Sequence, residues 1–204
     1  MTKAEIRKQI KEKLSSIPKE LLIAESEKIC SQIIKSEVYN SCTTLLAYMP
    51  LPDEVAVTPV ISDALNQNKD VFIPRITPAT NQMEFYRYDT RTKTAPGSFG
   101  ITEPARDESQ SFATFLSNSK ETHKILVLVP GRAFTLSGKR LGRGKGFYDI
   151  YFSQLADTLS LTSPSDIKKS GVCFACQILE DLPTTPDDIL MDNIFSGKSD
   201  YCYF

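Results

Sequence analysis

The sequence predicts an α/β fold, a three-layer α/β/α sandwich with a mostly parallel, Rossmann-like central sheet. Short apolar runs alternate along the chain with segments of helical periodicity. The run at 171–179 is almost wholly apolar, as expected for a strand in the middle of a parallel sheet. The 204 residues, 41% hydrophobic and 24% charged, can bury a substantial core. We therefore predict a single domain spanning residues 1–204.

The first half of the chain is predicted to begin with two helices. Ile6, Ile10 and Leu14 fall on one face of the first helix. Pro18 suits the first turn of a second helix that ends near Lys35. The remaining predictions for this half are a strand at 44–49, a helix at 55–66, a strand at 71–73 that Pro74 ends, and a strand at 83–88.

The second half begins with a long predicted loop at 89–107, rich in Thr, Pro and Gly. His123 precedes a strand among polar residues, so we predict a surface position. Cys173 and Cys176 form a C-x-x-C inside an apolar run, which favours packing over a zinc or redox role. The later predictions are a short helix at 112–116, a strand at 125–129, a helix at 147–159, a polar connector at 160–170, the strand at 171–179 and an edge strand at 201–204.

Composition narrows the functional classes. The formal net charge of −1 argues against bulk binding to nucleic acid or to an anionic membrane. The N-terminal residues lack a secretory apolar region, and no apolar run reaches transmembrane length. Five cysteines without regular spacing favour a reducing compartment. We expect a cytosolic monomer with no nucleic-acid or membrane partner, and a mitochondrial copy stays open.

The most informative segment is the glycine loop, residues 138–149, with the sequence GKRLGRGKGFYD. Its alternating glycines let backbone N–H groups approach an anion closely. Arg140, Arg143 and Lys145 add positive charge, and the following helix points further N–H groups at the same place. Asp149 supplies a carboxylate that Mg²⁺ could use. The segment therefore predicts a phosphate site for a nucleotide.

Two familiar nucleotide motifs do not match the glycine loop. A P-loop requires Ser or Thr after its lysine, but Lys145 is followed by Gly146. Lys139 stands where the same motif requires glycine. The third glycine of a dinucleotide fingerprint would fall at Phe147. The loop is thus expected to be a different kind of phosphate cradle.

The glycine loop, together with Leu128-Val129-Pro130-Gly131 before it, closely resembles the signature of the 5-formyltetrahydrofolate cyclo-ligase family, also called 5,10-methenyltetrahydrofolate synthetases. The resemblance spans nearly the whole chain. Further matches follow in the right order: residues 3–7, Tyr48-Met49-Pro50 with Asp53-Glu54-Val55, residues 73–75, residues 97–104, and Asp187-Asp188 with Asp192.

The resemblance implies an ATP- and Mg²⁺-dependent enzyme that converts 5-formyltetrahydrofolate to 5,10-methenyltetrahydrofolate and releases ADP and phosphate. Phosphorylation of the formyl oxygen creates a leaving group, and N10 then attacks within the same molecule, which gains from proximity. The protein's share is to hold the γ-phosphate in line and to neutralise its charge.

The same resemblance implies the site residues. Arg143 and Lys145 are the catalytic candidates, and Asp149 and Asp188 are the metal ligands, with Asp187 or Asp192 as alternatives to Asp188. The ATP-binding residues would be Lys3, Arg7, Arg140, Leu141, Gly142, Arg143, Gly144, Lys145, Gly146, Phe147 and Tyr148. The folate-binding residues would be Met49, Glu54, Arg143, Gly144, Lys145, Gly146 and Phe147.

The residues by themselves leave other interpretations open. Lys3 and Arg7 could be ordinary solvated charges, Glu54 a helix cap, and Tyr148 either a stacking surface for a base or pterin or a core residue. A phosphosugar isomerase or transferase on a similar sandwich would need a carboxylate or histidine base and no ATP. A non-catalytic nucleotide- or RNA-binding module would use residues 140–145.

Overall fold

The structure, a computed structural model, describes residues 1–77, 80, 82–97, 100–119, 121–160, 166–186 and 188–198, and omits the side chains of 156–160. The helices are α1 Lys3–Ser15, α2 Lys19–Lys35, α3 Glu37–Ser41, α4 Thr58–Asn66, α5 Phe112–Asn118 and α6 Phe147–Ser160. The strands are β1 Thr44–Leu46, β2 Asp70–Thr77, β3 Gln82–Arg87, β4 Thr94–Pro96, β5 Thr102–Pro104, β6 Lys124–Pro130, β7 Ala133–Phe134, β8 Arg140–Leu141, β9 Asp166–Cys173 and β10 Asn193–Ser196.

Six of these strands form the central sheet, in the order β10-β9-β6-β1-β2-β3. Every neighbouring pair is parallel except β2 and β3, which are antiparallel. The chain moves outward from β1 to β2 on one side and to β6 on the other. In open α/β sheets, the carboxyl ends of strands at such a reversal of order flank the ligand crevice. The predicted fold class is confirmed, and it directs attention to the segments after β1 and β6.

Two hydrophobic clusters cover the two faces of the sheet. Alternate side chains of a strand point to opposite faces, so Leu45 and Leu126 join the cluster under α1–α4. Leu46 and Val127 join the cluster under α5 and α6. All four side chains are completely buried. The three predicted layers follow from this division.

Helix α1 has a well-defined start. The Thr2 hydroxyl accepts a hydrogen bond from the Glu5 backbone N–H (3.3 Å), and the Glu5 carboxylate accepts one from the Thr2 N–H (2.7 Å), which forms a capping box. Ile6, Ile10 and Leu14 are buried, as their spacing predicted. The cap and the apolar stripe together fix the direction in which the basic residues of α1 point.

Three strand predictions were wrong at their ends. The strand predicted at 44–49 is β1, which ends at Leu46. The strand predicted at 171–179 is β9, which begins at Asp166 and ends at Cys173 before a 3₁₀ turn at Ala175–Gln177. The first half of β9 is polar, so its sequence does not indicate that it pairs with β6. Pro74 does not end β2. Because β1 pairs with β2 only as far as Phe72, the proline lies where one side of β2 carries no strand ladder.

Other predictions also need correction. The loop predicted at 89–107 contains the antiparallel pair β4 and β5, and the helix predicted from residue 55 begins at Thr58. Strand β10 was missed, while the strand predicted at 201–204 and part of the polar connector lie outside the described residues. His123 is buried, with Nε2 2.6 Å from the Ser119 Oγ.

The C-x-x-C cysteines pack as predicted. Cys173 is buried, Cys176 is half-buried, and both are free thiols. Burial raises the pKa of both thiols, so neither is an activated thiolate. Among the described residues, no helix has the length and apolar character needed to cross a membrane.

Candidate active site

A cleft of about 1070 Å³ opens where β1 and β6 end. Its walls come from α1 and the start of α2, the segment 48–54 after β1, the turn 130–132 after β6, and the glycine loop. Apolar side chains such as Leu14 and Met83 also line it. The predicted site residues among its lining are Arg7, Met49, Glu54, Arg140, Gly142, Arg143, Lys145, Gly146, Phe147, Tyr148 and Asp149. Lys3, Leu141, Gly144 and Asp188 lie outside the lining.

Backbone contacts hold the glycine loop against α1. Strand β8 pairs with β7 as a short hairpin, and Leu141 is buried within it. The Gly142 carbonyl accepts a hydrogen bond of 2.8 Å from Arg7 Nε. Gly144 and Gly146 have φ of +99° and +71°, in the left-handed region that glycine adopts at little cost. The loop therefore turns sharply beside a cation from α1.

Arg140 is directed inward and is almost fully buried. Its side chain is only 4% exposed, and its Nη2 donates to both carboxylate oxygens of Asp149 at 2.9 Å. The guanidinium also lies 5.5 Å from the centroid of the Tyr148 ring. These contacts fix the start of α6 to β8. Arg140 thus connects the loop to the acid predicted to bind metal.

Arg143 is held by the segment that follows β1. Its Nε donates to Glu54 at 2.9 Å, and its Nη2 donates to Asp53. The second Glu54 oxygen accepts the Leu51 N–H at 3.0 Å. Burial lowers the pKa of the Arg143 guanidinium, but Glu54 and Asp53 outweigh this effect and the net shift is upward. The glycine loop and the acidic segment therefore close on each other across the cleft.

Two charged residues of this network, Asp53 and Arg132, were not among the predicted site residues. Asp53 also accepts a hydrogen bond from Arg132 Nη1. Burial alone would raise the pKa of Asp53, but the hydrogen bonds from Arg143 and Arg132 lower it. The position of Arg132 in the sequence, directly after the end of β6, is the signal that could have identified it.

The two predicted metal ligands lie close to the same backbone segment. Asp149 Oδ1 accepts a hydrogen bond of 3.3 Å from the N–H of Ile189, the residue after Asp188. Asp188 accepts hydrogen bonds of 2.6 Å from both Lys3 Nζ and the Thr185 N–H. Burial would raise the pKa of Asp188, but Lys3 and Thr185 lower it. Each carboxylate is therefore paired with a cation, Asp149 with Arg140 and Asp188 with Lys3.

The alternative metal ligands are not equivalent. Asp192 accepts a hydrogen bond of 2.6 Å from the Lys169 N–H, in the middle of β9 and away from its carboxyl end. Asp187 lies outside the described residues. Within the described part of the chain, no group of three or more acidic, histidine or cysteine side chains could hold a metal by itself.

The tyrosines of the cleft are protonated. The Tyr48 hydroxyl donates to the Val55 carbonyl at 2.8 Å, and burial raises its pKa well above the ordinary value. Burial, followed by the nearby Glu54, also raises the pKa of Tyr148. Tyr148 packs against the core and lines the cleft as well, so its two proposed environments coexist. Neither phenol can act as a base near neutral pH.

The fold and the site define an α/β enzyme in which a cationic glycine loop faces a carboxylate-bearing segment across a deep cleft. The family model of the 5-formyltetrahydrofolate cyclo-ligase family matches residues 1–197. The chain therefore belongs to this family, and it is a ligase-class enzyme as the resemblance implied. This membership replaces the isomerase and RNA-binding interpretations.

Individual relatives agree with the family assignment. A probable 5-formyltetrahydrofolate cyclo-ligase of Caenorhabditis elegans is 31% identical over 97% of this chain and 94% of its own length. A probable cyclo-ligase of Schizosaccharomyces pombe is 30% identical over 97% and 96%. Among solved structures, the 5,10-methenyltetrahydrofolate synthetase of Aquifex aeolicus has a TM-score of 0.72 at 28% identity, covering 98% of this chain and 91% of that one.

Proposed function

We propose that the chain catalyses the ATP- and Mg²⁺-dependent conversion of 5-formyltetrahydrofolate to 5,10-methenyltetrahydrofolate, with release of ADP and phosphate. The observation that carries this proposal is the meeting of the cationic glycine loop with the acidic segment at the cleft. Arg143 of the glycine loop is ion-paired with Asp53 and Glu54 of the segment after β1, and Lys145 lines the same cleft. The cationic loop suits a triphosphate, and the acidic, partly apolar segment suits a pterin.

The proposed reaction proceeds in two displacements. The formyl oxygen attacks the γ-phosphorus of ATP, a P–O bond forms, and the bond to ADP breaks. N10 then attacks the formyl carbon within the same molecule, the C–O bond to phosphate breaks, and the N10 proton passes to solvent. Because the second step is intramolecular, the enzyme gains most by holding the folate in the conformation that brings N10 close to the formyl carbon.

The phosphates would be bound by amides and cations of the glycine loop together with α1. Gly144 and Gly146 turn the backbone without a Cβ in the way, so N–H groups are available to an anion. Arg7 already lies against this loop through the Gly142 carbonyl. We assign Arg143 and Lys145 to the charge that develops during phosphoryl transfer, because both line the cleft on exposed positions.

The pterin would be bound by the acidic segment. Glu54 is nearly buried, with a side chain 8% exposed, and both of its oxygens face hydrogen-bond donors. The amino group and ring N–H of a pterin could replace Arg143 as such donors. Met49 and Phe147 are half-buried in the cleft and offer apolar contact to the ring. The folate would then contact the glycine loop from the side opposite to ATP.

Asp149, which lines the cleft, and Asp188, which lies outside the lining, are the proposed ligands of Mg²⁺. This ion normally binds proteins through one or two carboxylates, and phosphate oxygens and water complete its shell. Asp149 and Asp188 would supply the protein's oxygen ligands, and the N–H of Ile189, the residue after Asp188, contacts Asp149. When bound, Mg²⁺ neutralises phosphate charge. Lys3, which pairs with Asp188, would join the same phosphate site.

The direct test is formation of product. Purified chain is mixed with 5-formyltetrahydrofolate, ATP and Mg²⁺, and the absorbance of the methenyl compound is followed with time. The proposal predicts product only when all three are present, with one ADP released for each folate closed. A Glu54→Gln variant should raise the KM for folate, because Glu54 is the proposed acceptor for the pterin. Product without ATP, or ADP release that folate does not stimulate, would reject the proposal.

Three further expectations accompany the proposal. The chain is expected to act as a monomer, to be cytosolic, and to use residues 1–204 as a single domain. Sedimentation analysis, localisation of the tagged full chain and limited proteolysis would test these three expectations in turn.

A further inference from the structure

Arg132 is a buried cation at the end of β6 with no role in the proposal so far. Its side chain is 11% exposed, and it lines the cleft. The backbone around it is fixed, because its N–H donates to the Leu141 carbonyl at 2.6 Å. The Gln177 side chain also donates to the Gly131 and Arg132 carbonyls, at 2.8 and 3.1 Å. These contacts fix the backbone from which the guanidinium reaches Asp53.

Arg132 and Arg143 share one carboxylate. Asp53 Oδ2 accepts from Arg132, and Asp53 Oδ1 accepts from Arg143. The two arginines differ in mobility, since the side chain of Arg143 is 33% exposed and belongs to the glycine loop. If Arg143 moved away, Asp53 would keep Arg132, and Glu54 would keep the Leu51 N–H. No carboxylate of the network would lose its last partner.

We propose that Arg132 is a positioning residue that stays hydrogen-bonded to Asp53, so that Arg143 can leave Asp53 and Glu54 and bind the triphosphate. This inference rests on the proposed function, because it assigns Arg143 to ATP. In the state described here, Arg143 donates to Asp53 and Glu54 and so cannot offer the same N–H groups to a phosphate. The exchange breaks two charged hydrogen bonds, and Arg132 lowers the cost of leaving one of them.

Removal of Arg132 should strengthen the ion pair between Asp53 and Arg143. In Arg132→Met, Asp53 has Arg143 as its remaining charged donor in the described network, and it competes with the triphosphate for that guanidinium. We expect the Kd for MgATP to rise about tenfold, the scale of one charge-assisted hydrogen bond. The kcat at saturating ATP should change little, because the occupied site is unaltered once Arg143 has moved.

The experiment measures MgATP binding by calorimetry, and KM and kcat by methenyl formation, on four proteins. They are the wild type, Arg132→Met, Arg132→Met/Asp53→Asn and Lys139→Met. Lys139 makes a more exposed ion pair of 2.6 Å with Asp181 outside the cleft lining, so its variant is the control for loss of one cation. The double variant also removes the charge of Asp53 that competes for Arg143, and its Kd for MgATP should return to within about twofold of the wild type.

The outcomes separate this inference from the proposed function. A wild type that binds MgATP but forms no methenyl product contradicts the function and leaves the calorimetric comparison to decide on Arg132. The inference is overturned if Arg132→Met binds MgATP like the wild type, or if the folded double variant binds as weakly as Arg132→Met. If Arg132→Met does not fold, the Asp53→Asn variant decides. If Asp53→Asn binds MgATP as tightly as the wild type or more tightly, the inference is supported. If Asp53→Asn binds MgATP more weakly, the inference is overturned.

Discussion

Two arginines of the glycine loop, three residues apart, should respond in opposite ways to the same substitution. Arg140→Met and Arg143→Met each exchange a guanidinium for an apolar side chain of similar length. The Arg140 side chain is 4% exposed and is bound to both oxygens of Asp149, whereas the Arg143 side chain is 33% exposed. We expect Arg140→Met to reduce mainly stability, and Arg143→Met to reduce mainly activity with a smaller loss of stability.

The magnitudes follow from what each substitution leaves behind. Removing one partner of a buried ion pair costs about 3–5 kcal/mol. Asp149 is 23% exposed and keeps the Ile189 N–H, so water can reach the remaining charge and the lower value of about 3 kcal/mol applies. Loss of Arg143 leaves Asp53 with Arg132 and leaves the nearly buried Glu54 with the Leu51 N–H, so its cost should be smaller, about 1–2 kcal/mol.

Urea unfolding followed by circular dichroism measures both free energies. In a chain of this size, about 3 kcal/mol corresponds to a decrease in Tm of about 10 °C. Methenyl formation is measured on the same preparations well below the Tm. Equal losses of stability in the two variants would refute the inward assignment of Arg140. Full activity of Arg143→Met would remove that residue from the catalytic candidates.

Three other perturbations follow from the structure. Gly138→Ala should cost about 3 kcal/mol of unfolding free energy, because φ is +84° and a Cβ would lie 2.4 Å from the Met191 carbonyl oxygen. Gly100 has a similar φ of +75° but open space where a Cβ would lie, so Gly100→Ala should cost only about 1 kcal/mol. Burial and then Glu108 raise the pKa of Glu84 from 4.5 to about 7, so the folded state binds more protons than the unfolded state between these values. Stability should therefore fall as pH rises through that window, and Glu84→Gln should remove the fall in unfolding free energy. Asp149→Asn should raise the Mg²⁺ concentration for half-maximal methenyl formation about tenfold.

Each of these expectations has its own control. Equal costs at the two glycines would mean that the Met191 contact contributes nothing. An identical pH dependence in Glu84→Gln would assign the fall in stability to other groups. For the metal, Asp181→Asn is the matched carboxylate variant, because Asp181 pairs with Lys139 on the surface. A Mg²⁺ titration of Asp149→Asn that matches Asp181→Asn would remove Asp149 from the ligands.

The fold could be predicted because its signals are local. The stripe Ile6, Ile10 and Leu14 and the apolar run of β6 each specify an element by their own periodicity. The predicted start of β9 was wrong because pairing with β6 extends the strand over polar residues from Asp166 onward. No local sequence pattern reveals that pairing. The prediction that Pro74 ends β2 was wrong for a similar reason, since the length of β1 decides whether a proline is tolerated in β2.

The site was predictable as a segment but not as a network. The glycine loop is continuous in sequence, so its charges and glycines can be read together. The ion pairs that organise it join distant positions, as Arg143 does with Glu54 and as Lys3 does with Asp188. Asp53 and Arg132 meet only because β1 and β6 are neighbours in the sheet. Pairings of this kind depend on strand order, which composition and spacing do not specify.

The most direct measurement is a crystal structure of the chain with Mg²⁺ and a non-hydrolysable ATP analogue. We predict that the phosphates lie on the amides of residues 142–146, that the Arg143 guanidinium has left Asp53 and Glu54 to contact them, and that Arg132 still holds Asp53. A triphosphate bound elsewhere on the chain, with Arg143 still paired to both carboxylates, would contradict the account.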